Sequence, residues 1–168
     1  MIILGIDPGT ARMGYGVVEV YKTKNKLPKL LEADTLITKP DLGMPQRLRF
    51  IYKRLSEIVE KYSPDVMVIE KLFFNTNAKT AISVGQARGI SILAASSKKD
   101  LVLYEYTALE AKKTLTDYGR ADKKQMQEAV KEILNLGSVV KSDDANDGVA
   151  MALCFIKKEL KNLWHLSE

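Results

Sequence analysis

Four acidic residues occupy positions where a negative charge needs compensation. Asp7 and Glu70 each end a short apolar run, so both lie where the chain leaves a predicted core. Asp144 and Asp147 lie three residues apart at the start of an apolar helix, which places them on one helix face. Because four neighbouring carboxylates would repel one another, their convergence predicts a divalent cation between them.

Three of these four positions also have structural explanations that stay open. Asp before Pro-Gly is a good turn former, and this accounts for Asp7 about as well as a metal site does. Acids also gather in the first turn of a helix to cap it and to complement its dipole, which is the favoured explanation for residues 143–147 taken alone. Asp143 is assigned to that capping role. Glu70 has no comparable explanation.

The ligand chemistry indicates which metal and which reaction to expect. Carboxylate oxygens favour Mg²⁺ or Mn²⁺ over zinc. The single cysteine, Cys154, excludes an internal disulfide and a cysteine-cluster metal site, and the single histidine, His165, is assigned to the C-terminal tail. Two Mg²⁺ or Mn²⁺ ions about 3.5–4 Å apart can activate a water and stabilise the leaving oxygen when a phosphodiester is cut.

The composition is that of one globular domain with a basic excess. The 168 residues are 46% hydrophobic and 28% charged, which excludes disordered and fibrous classes. Lys and Arg number 26 against 21 Asp and Glu, and the net charge of +5 favours a polyanionic partner such as nucleic acid. The first residues are typical of a strand rather than a signal peptide, and no uncharged stretch approaches the ~18 apolar residues of a membrane span. We expect a soluble, cytoplasmic protein.

The elements that must position the acids follow from apolar spacing and turn signals. The predicted order is three antiparallel strands, then helix, strand, helix and strand, then three further helices, which indicates an α/β fold with a mixed sheet and helices on both faces. Right-handed crossovers would place the strands that end at Asp7 and Glu70 side by side and parallel, with both acids at one edge. The predicted strands are residues 2–6, 14–21, 30–37, 66–69 and 101–106, and the predicted helices are residues 45–62, 78–97 and three that begin near residues 107, 122 and 143.

Basic and aromatic residues surround the predicted site. Residues 71–99 contain five basic side chains and no acid, beginning directly after Glu70. Phe73 and Phe74 lie in a predicted loop, where they would either stack on unpaired bases or pack under the next helix, and both explanations stay open. Lys79, in the same basic segment, is a candidate for binding DNA. Lysine pairs elsewhere are more often solvated faces.

Four segments, read in order along nearly the whole chain, carry a family resemblance: Gly5-Ile6-Asp7-Pro8-Gly9-Thr10 with Gly14-Tyr15-Gly16, Ile69-Glu70 with Phe73, Gly85-Gln86-Ala87-Arg88-Gly89, and Asp144-Ala145-Asn146-Asp147. The chain resembles the RuvC family of bacterial Holliday junction resolvases. The resemblance implies an RNase H-like fold, a homodimer, and a divalent-metal endonuclease that nicks two opposed strands of a four-way DNA junction during recombination and repair. It also implies docking of the branch-migration proteins RuvA and RuvB.

The resemblance assigns roles by position. The family's acidic quartet matches Asp7, Glu70, Asp144 and Asp147. An aromatic that probes the junction centre matches Phe73, and basic residues near the cleaved backbone match Lys112 and Lys123.

The sequence departs from the family pattern at two places. Asp143 precedes Asp144, the third acid, and Asn146 and Gly148 flank Asp147, the fourth acid, where the family often has alanine. Spacing favours Asp144 as the ligand, because Asp143 would serve better as the helix N-cap.

A two-fold dimer would present two identical sites to the two symmetric strands of a junction. We expect dimerisation partly through residues 78–97, a helix rich in small residues that include Gly85 and Gly89. Small residues allow close approach of a partner helix or tight packing on the sheet, and the sheet is slightly favoured for either glycine taken alone.

Three alternatives remain at this point. An actin-like ATPase or sugar kinase shares the Gly-Ile-Asp-x-Gly-Thr hairpin, but the chain is short for that class and has no second glycine-rich phosphate loop. A junction-binding module with structural acids would bind DNA and never cut it. A nuclease for RNA–DNA hybrids would share the metal site and differ only in substrate.

Overall fold

The protein is described here as a computed structural model that covers residues 1–21, 26–71 and 78–160, with side chains described from residue 81 of the second helix. The five strands are β1 (Ile2–Asp7), β2 (Arg12–Glu19), β3 (Lys29–Ile37), β4 (Val66–Glu70) and β5 (Val102–Tyr106). The five helices are α1 (Met44–Tyr62), α2 (Ala78–Ala95), α3 (Ala108–Thr116), α4 (Lys123–Ile133) and α5 (Asp143–Glu159).

The strands form one mixed sheet in the order β3-β2-β1-β4-β5. β1, β2 and β3 pair antiparallel, whereas β4 pairs parallel to both β1 and β5. The register sets Ile6 opposite Ile69, so the next residues along the two strands are Asp7 and Glu70. The predicted parallel neighbours are therefore confirmed, and both acids lie at the same edge of the sheet.

Helices cover both faces of this sheet, as predicted. On one face, α1 and α2 pack against side chains such as Leu4, Ile6 and Met67. On the other face, α3, α4 and α5 pack against side chains such as Ile3 and Val68. Alternate residues of β1 therefore serve two separate cores, which explains why β1 and β4 are continuous apolar runs. Within the described ranges, no helix has the length and hydropathy needed to cross a membrane.

Helix starts agree with the predicted signals in two cases and differ in a third. Thr107 and Asp122 are N-caps with complete capping boxes. The prediction of Asp143 as the N-cap of α5 was wrong. Asp143 already lies in the helix, while Ser142 has extended backbone and its hydroxyl accepts a hydrogen bond from the Ala145 N–H. The predicted caps of α2, among residues 75–77, lie outside the described residues.

The glycines of α2 point away from the sheet. A Cβ atom added to Gly85 or Gly89 would meet nothing within 4 Å, whereas Ala87 and Ser91 of the same helix are completely buried. The slight preference for packing of these glycines on the sheet was therefore wrong. Their face of α2 is open to a second molecule.

Candidate active site

Asp7 and Glu70 form the centre of the site. Their carboxyl groups are hydrogen bonded to each other, so one of the two holds a proton in the absence of another cation. Burial raises the pKa of Asp7, and the hydrogen bond and charge of Glu70 raise it further. Burial also raises the pKa of Glu70, although its hydrogen bonds with Asp7 and with the Ala108 N–H at the start of α3 act in the opposite direction.

Asp147 enters the same site from α5. The residue keeps exposed surface, yet withdrawal of its carboxyl group from water raises its pKa to about 6, and repulsion from Asp7 adds to this rise. Its charge in turn raises the pKa of Glu70. The carboxyl groups of β1, β4 and α5 are thus close enough to affect one another's ionisation.

Glycines bring α5 against the sheet. A Cβ atom at Gly14 would collide with the carbonyl oxygen of Asp144, and one at Gly16 would lie 2.7 Å from the Cα of Val149. On the helix side, a Cβ atom at Gly148 would lie 2.6 Å from the Cα of Tyr15. The absence of side chains at these positions lets α5 lie directly on β1 and β2, which carries its acids to Asp7.

Asp144 has a cationic partner at the rim of the site. Its Oδ2 accepts a hydrogen bond of 2.6 Å from Nε of Arg12, at the start of β2. The neighbouring acid, Asp143, instead accepts hydrogen bonds from Lys123 at 2.8 Å and from Gln127 at 3.1 Å. The two acids of the doublet therefore have different partners, and α4 holds Asp143.

A pocket of about 80 Å³ opens beside Glu70 and Asp147. Lys112 of α3 lines it together with the small or apolar residues Ala108, Ala111, Met126, Ala150 and Met151. The pocket has room for a few water molecules or an ion with part of its hydration shell. A lysine beside two acids provides positive charge next to the place where an anionic group would enter.

The side chains fit a hard divalent cation by their chemistry. All four are carboxylates, and their mutual repulsion is the condition that a bound cation would relieve. In the arrangement seen here, no three His, Cys, Asp or Glu side chains among the described residues are gathered around one point. For the four to share a cation, Asp7, Glu70 and Asp147 would have to draw closer together and Asp144 would have to turn from Arg12.

Comparisons with known proteins identify the family. The family model for "Crossover junction endodeoxyribonuclease RuvC" matches residues 3–155. The chain belongs to the RuvC family. A RuvC from Finegoldia magna is 49% identical over 156 residues, which cover 93% of each chain. The solved structure of Thermus thermophilus RuvC has a TM-score of 0.86 and 28% identity over 97% of this chain and 98% of that one.

A second RuvC structure bears on the substrate. Thermus thermophilus RuvC in complex with a Holliday junction matches with a TM-score of 0.85 and 26% identity over 97% of this chain and 98% of that one. These matches confirm the RNase H-like α/β fold and the assignment to the crossover junction endodeoxyribonucleases. They also remove the ATPase or sugar kinase alternative.

The structure describes only some of the residues that were predicted to bind DNA. Lys112 lines the pocket beside Glu70, and Lys123 is exposed and paired with Asp143. Phe73 and Phe74 lie outside the described residues, as do the side chain of Lys79 and His165. The DNA-binding role of all five predicted residues stays a prediction.

One functional candidate, Arg12, was missed by sequence reasoning. It lies in the RuvC motif between Asp7 and Gly14, and β2 pairs Gly14 directly with Asp7. A basic residue on the strand beside an acidic site was the available signal. Its partner Asp144 is 132 residues away in the chain, so only the packing of α5 on Gly14 shows the contact.

Proposed function

We propose that this chain cuts four-way DNA junctions by metal-dependent hydrolysis at Asp7, Glu70, Asp144 and Asp147. One observation carries the proposal: the sheet register places Asp7 and Glu70 at one edge, and Asp147 of α5 lines the same pocket as Glu70. Membership of the RuvC family supports it, and Thermus thermophilus RuvC is solved with a Holliday junction substrate. The activity would serve recombination and repair.

We propose Mg²⁺ as the native ion, with Mn²⁺ able to replace it and two ions per site. The two carboxylates of the sheet, Asp7 and Glu70, would hold the ions from one side, and Asp144 and Asp147 would hold them from α5. Bound there, the ions would supply the positive charge that activates a water and stabilises the leaving oxygen of the phosphodiester. An all-carboxylate site suits these ions better than zinc.

The protein's own groups have separate tasks in this proposal. Cations bound at the Asp7–Glu70 pair would favour the loss of the proton that its hydrogen bond needs. The Ala108 N–H keeps one Glu70 oxygen oriented at the N-terminus of α3. Lys112, which lines the pocket, would attract the phosphate that enters it, and Lys123 would contact the neighbouring backbone. Phe73 and Phe74 would contact the junction centre, and Lys79 the DNA nearby.

We propose a two-fold homodimer formed partly through α2. One face of this helix carries Ile82 and Leu93, which are 67% and 55% exposed, with the open positions Gly85 and Gly89 between them. These residues recur at three- and four-residue steps and so lie along one stripe. Large apolar ends with small residues between them allow two copies of the helix to cross closely. Two sites would then meet two symmetric strands.

Three expectations accompany this proposal. Residues 1–168 would form one domain. The protein would work in the cytoplasm, where its DNA substrate is found. The branch-migration proteins RuvA and RuvB would dock on the protein–junction complex.

The proposed function is tested with a synthetic four-way junction, a linear duplex and an RNA–DNA hybrid, each incubated with Mg²⁺ or with EDTA. Strands are resolved on a denaturing gel and binding is measured in parallel by gel shift. We expect paired symmetric nicks confined to the junction and dependent on Mg²⁺. Asp7→Asn should abolish cutting and retain binding.

The matched control is Asp34→Asn, which removes an exposed acid of β3 outside the site and should cut as the wild type does. Cutting of the RNA–DNA hybrid alone would keep the metal site and reject the junction substrate. Binding without cutting by the wild type would favour the structural explanation of the four acids.

A further inference from the structure

The guanidinium group of Arg12 lies beside the four acids of the site and forms an ion pair with one of them. Its Nε donates to Asp144 Oδ2 at 2.6 Å, and the two side chains are 54% and 26% exposed, so the pair lies at the rim of the site. Within the described ranges, the two Nη groups of Arg12 make no hydrogen bond to protein. Most of the guanidinium fork therefore remains available to a second partner.

The backbone next to this ion pair is closely packed. Gly14 lies against the carbonyl of Asp144, and the Ser142 cap holds the N–H of Ala145. A change of partner for Asp144 is therefore confined to rotation of its side chain. Arg12, with its long exposed side chain, can move much more.

The ion pair and a bound cation compete for the same carboxylate. Asp7 and Glu70 are paired with each other, and Asp144 with Arg12, so three of the four carboxylates that a cation would meet already have a partner. A guanidinium and a divalent cation on one carboxylate would repel each other. Cation binding that uses Asp144 must displace Arg12.

We propose that Arg12 is a positioning residue that exchanges partners: it holds Asp144 while the site contains no cation, and it turns to a DNA backbone phosphate once a cation replaces it. The planar fork of arginine suits both partners, because it binds carboxylate and phosphate alike in a bidentate manner. This inference rests on the proposed function. Under this inference, cation binding releases Arg12 for the phosphate, and phosphate binding to Arg12 releases Asp144 for the cation. Cation binding and junction binding therefore favour each other.

The first test measures Mn²⁺ binding to the full-length, DNA-free protein by titration calorimetry. Arg12→Gln should bind Mn²⁺ about two- to fivefold more tightly than the wild type, which is the range that loss of an exposed ion pair allows. In an Asp144→Asn background, the same substitution should change the affinity by less than about 1.5-fold, because the pair is already gone.

The matched control is Arg54→Gln on α1. Arg54 forms an ion pair of the same length, 2.6 Å, with Glu57 and is 47% exposed, but it lies outside the acidic site. It should leave the Mn²⁺ affinity unchanged. Circular dichroism and thermal melting of each variant would confirm that all are folded.

The second test measures junction binding as a function of salt. With Ca²⁺ present, and with strands shown to be intact on a denaturing gel, Arg12→Gln should reduce the slope of log K against log[salt] by about 1 per engaged site. With EDTA the slope should equal that of the wild type, because Arg12 then stays on Asp144.

The outcomes separate this inference from the proposed function. If the wild type binds no Mn²⁺, the proposed metal site fails and the exchange fails with it. If the wild type binds Mn²⁺ and Arg12→Gln binds it equally well, the metal site stands and the exchange is rejected. An equal loss of salt slope with Ca²⁺ and with EDTA would also reject the exchange, because Arg12 would then contact phosphate in both states.

Discussion

Gly14 of β2 lies directly against the carbonyl of Asp144 in α5, with no space for a Cβ atom between them. This contact joins the strand beside Asp7 to the first turn of the helix that carries two acids. Because Gly14 has no side chain, α5 can lie close to β2, and this sets the positions of Asp144 and Asp147 in the site.

Gly14→Ala adds only one methyl group, yet it should lower both the folding stability and the cutting rate. The added methyl group must push α5 away from β2, which costs about 1–3 kcal/mol of folding stability. A displacement of about 1 Å at Asp144 and Asp147 should lower the cutting rate by roughly 100-fold. Urea unfolding and single-turnover cleavage of a junction measure the two effects. Gly137→Ala, in open space outside both the site and α2, is the control and should neither lower stability nor change the cutting rate.

The neighbouring acids Asp143 and Asp144 should differ in how strongly their replacement lowers cutting. Asp144→Asn should lose cutting by at least roughly 100-fold, because it removes one proposed ligand of the metal. Asp143→Asn should retain most of the cutting, because this side chain is held by Lys123 and Gln127 of α4. Single-turnover cleavage with Mg²⁺ measures both. Equal losses in the two variants would show that the assignment of Asp144 over Asp143 is wrong.

Without divalent cation, the protein should become less stable as the pH rises from about 4 to about 6. The pKa of Asp147 is raised from 3.8 to about 6 in the folded state, so the folded protein binds more protons than the unfolded chain over this range. Asp147→Asn should reduce this loss, to which Asp7 and Glu70 also contribute, and in EDTA at pH 7.5 the variant should melt about 3 °C higher than the wild type. That corresponds to about 1 kcal/mol, reduced from the full shift by solvent screening at an exposed residue.

Thermal melting in EDTA at several pH values measures this effect, with Asp34→Asn as the control that should show no such gain. Mg²⁺ should raise the melting temperature of the wild type above pH 6. A wild-type stability that rises with pH over the same range would contradict the predicted sign.

Glu32 of β3 should stabilise the fold at neutral pH and lose that effect in acid. Its carboxylate accepts hydrogen bonds from Tyr15, Lys61 and Tyr62, at 2.5, 2.6 and 2.5 Å. Burial alone would raise its pKa, but these three donors lower it to about 2. The stabilisation is therefore fully present above the unfolded pKa of about 4.5 and disappears as the pH falls towards 2.

Glu32→Gln should cost about 2 kcal/mol at pH 7, and the gap from the wild type should narrow below about pH 4.5. Urea unfolding at pH 7, 5 and 3.5 tests this. Glu57→Gln, which removes the acid of the exposed pair with Arg54, is the control and should cost less than about 0.5 kcal/mol. A gap that stays constant with pH would reject the role of the Glu32 charge.

Gly89→Glu should run as a monomer in sedimentation, because it puts a charge into the proposed interface of α2. Gly137→Glu is the matched control: its Cβ atom also meets nothing within 4 Å, and the residue is exposed outside α2. It should remain dimeric. If Gly89→Glu also stays dimeric, the interface lies elsewhere.

Much of the fold could be predicted because the signals are local. The sequence predicted helices that open at Thr107 and at Asp122, and both residues are the N-caps, each with a capping box formed by residues three positions apart. The continuous apolar run of β4 indicated a strand buried on both faces, and crossover handedness placed it beside β1. These two steps also brought Asp7 and Glu70 together.

Predictions that depended on which face of an element meets which neighbour were less successful. For Gly85 and Gly89 taken alone, packing on the sheet was slightly favoured, but α2 turns them outward because Ala87 and Ser91 occupy its buried face. Asp143 was assigned as the N-cap of α5, although Ser142 caps the helix and α4 holds Asp143. The first error concerns rotation of a helix about its axis and the second the residue at which a helix starts; composition and spacing leave both open.

The sequence by itself determined the order of elements, the adjacency of the strands that carry Asp7 and Glu70, and the RuvC resemblance, because these depend on short-range patterns and backbone chirality. Only the tertiary structure decided the partners of the other acids. Arg12 reaches Asp144 across 132 residues because glycines in β1, β2 and α5 let the helix lie on the sheet. Such a contact depends on packing between distant segments, and no local pattern encodes it.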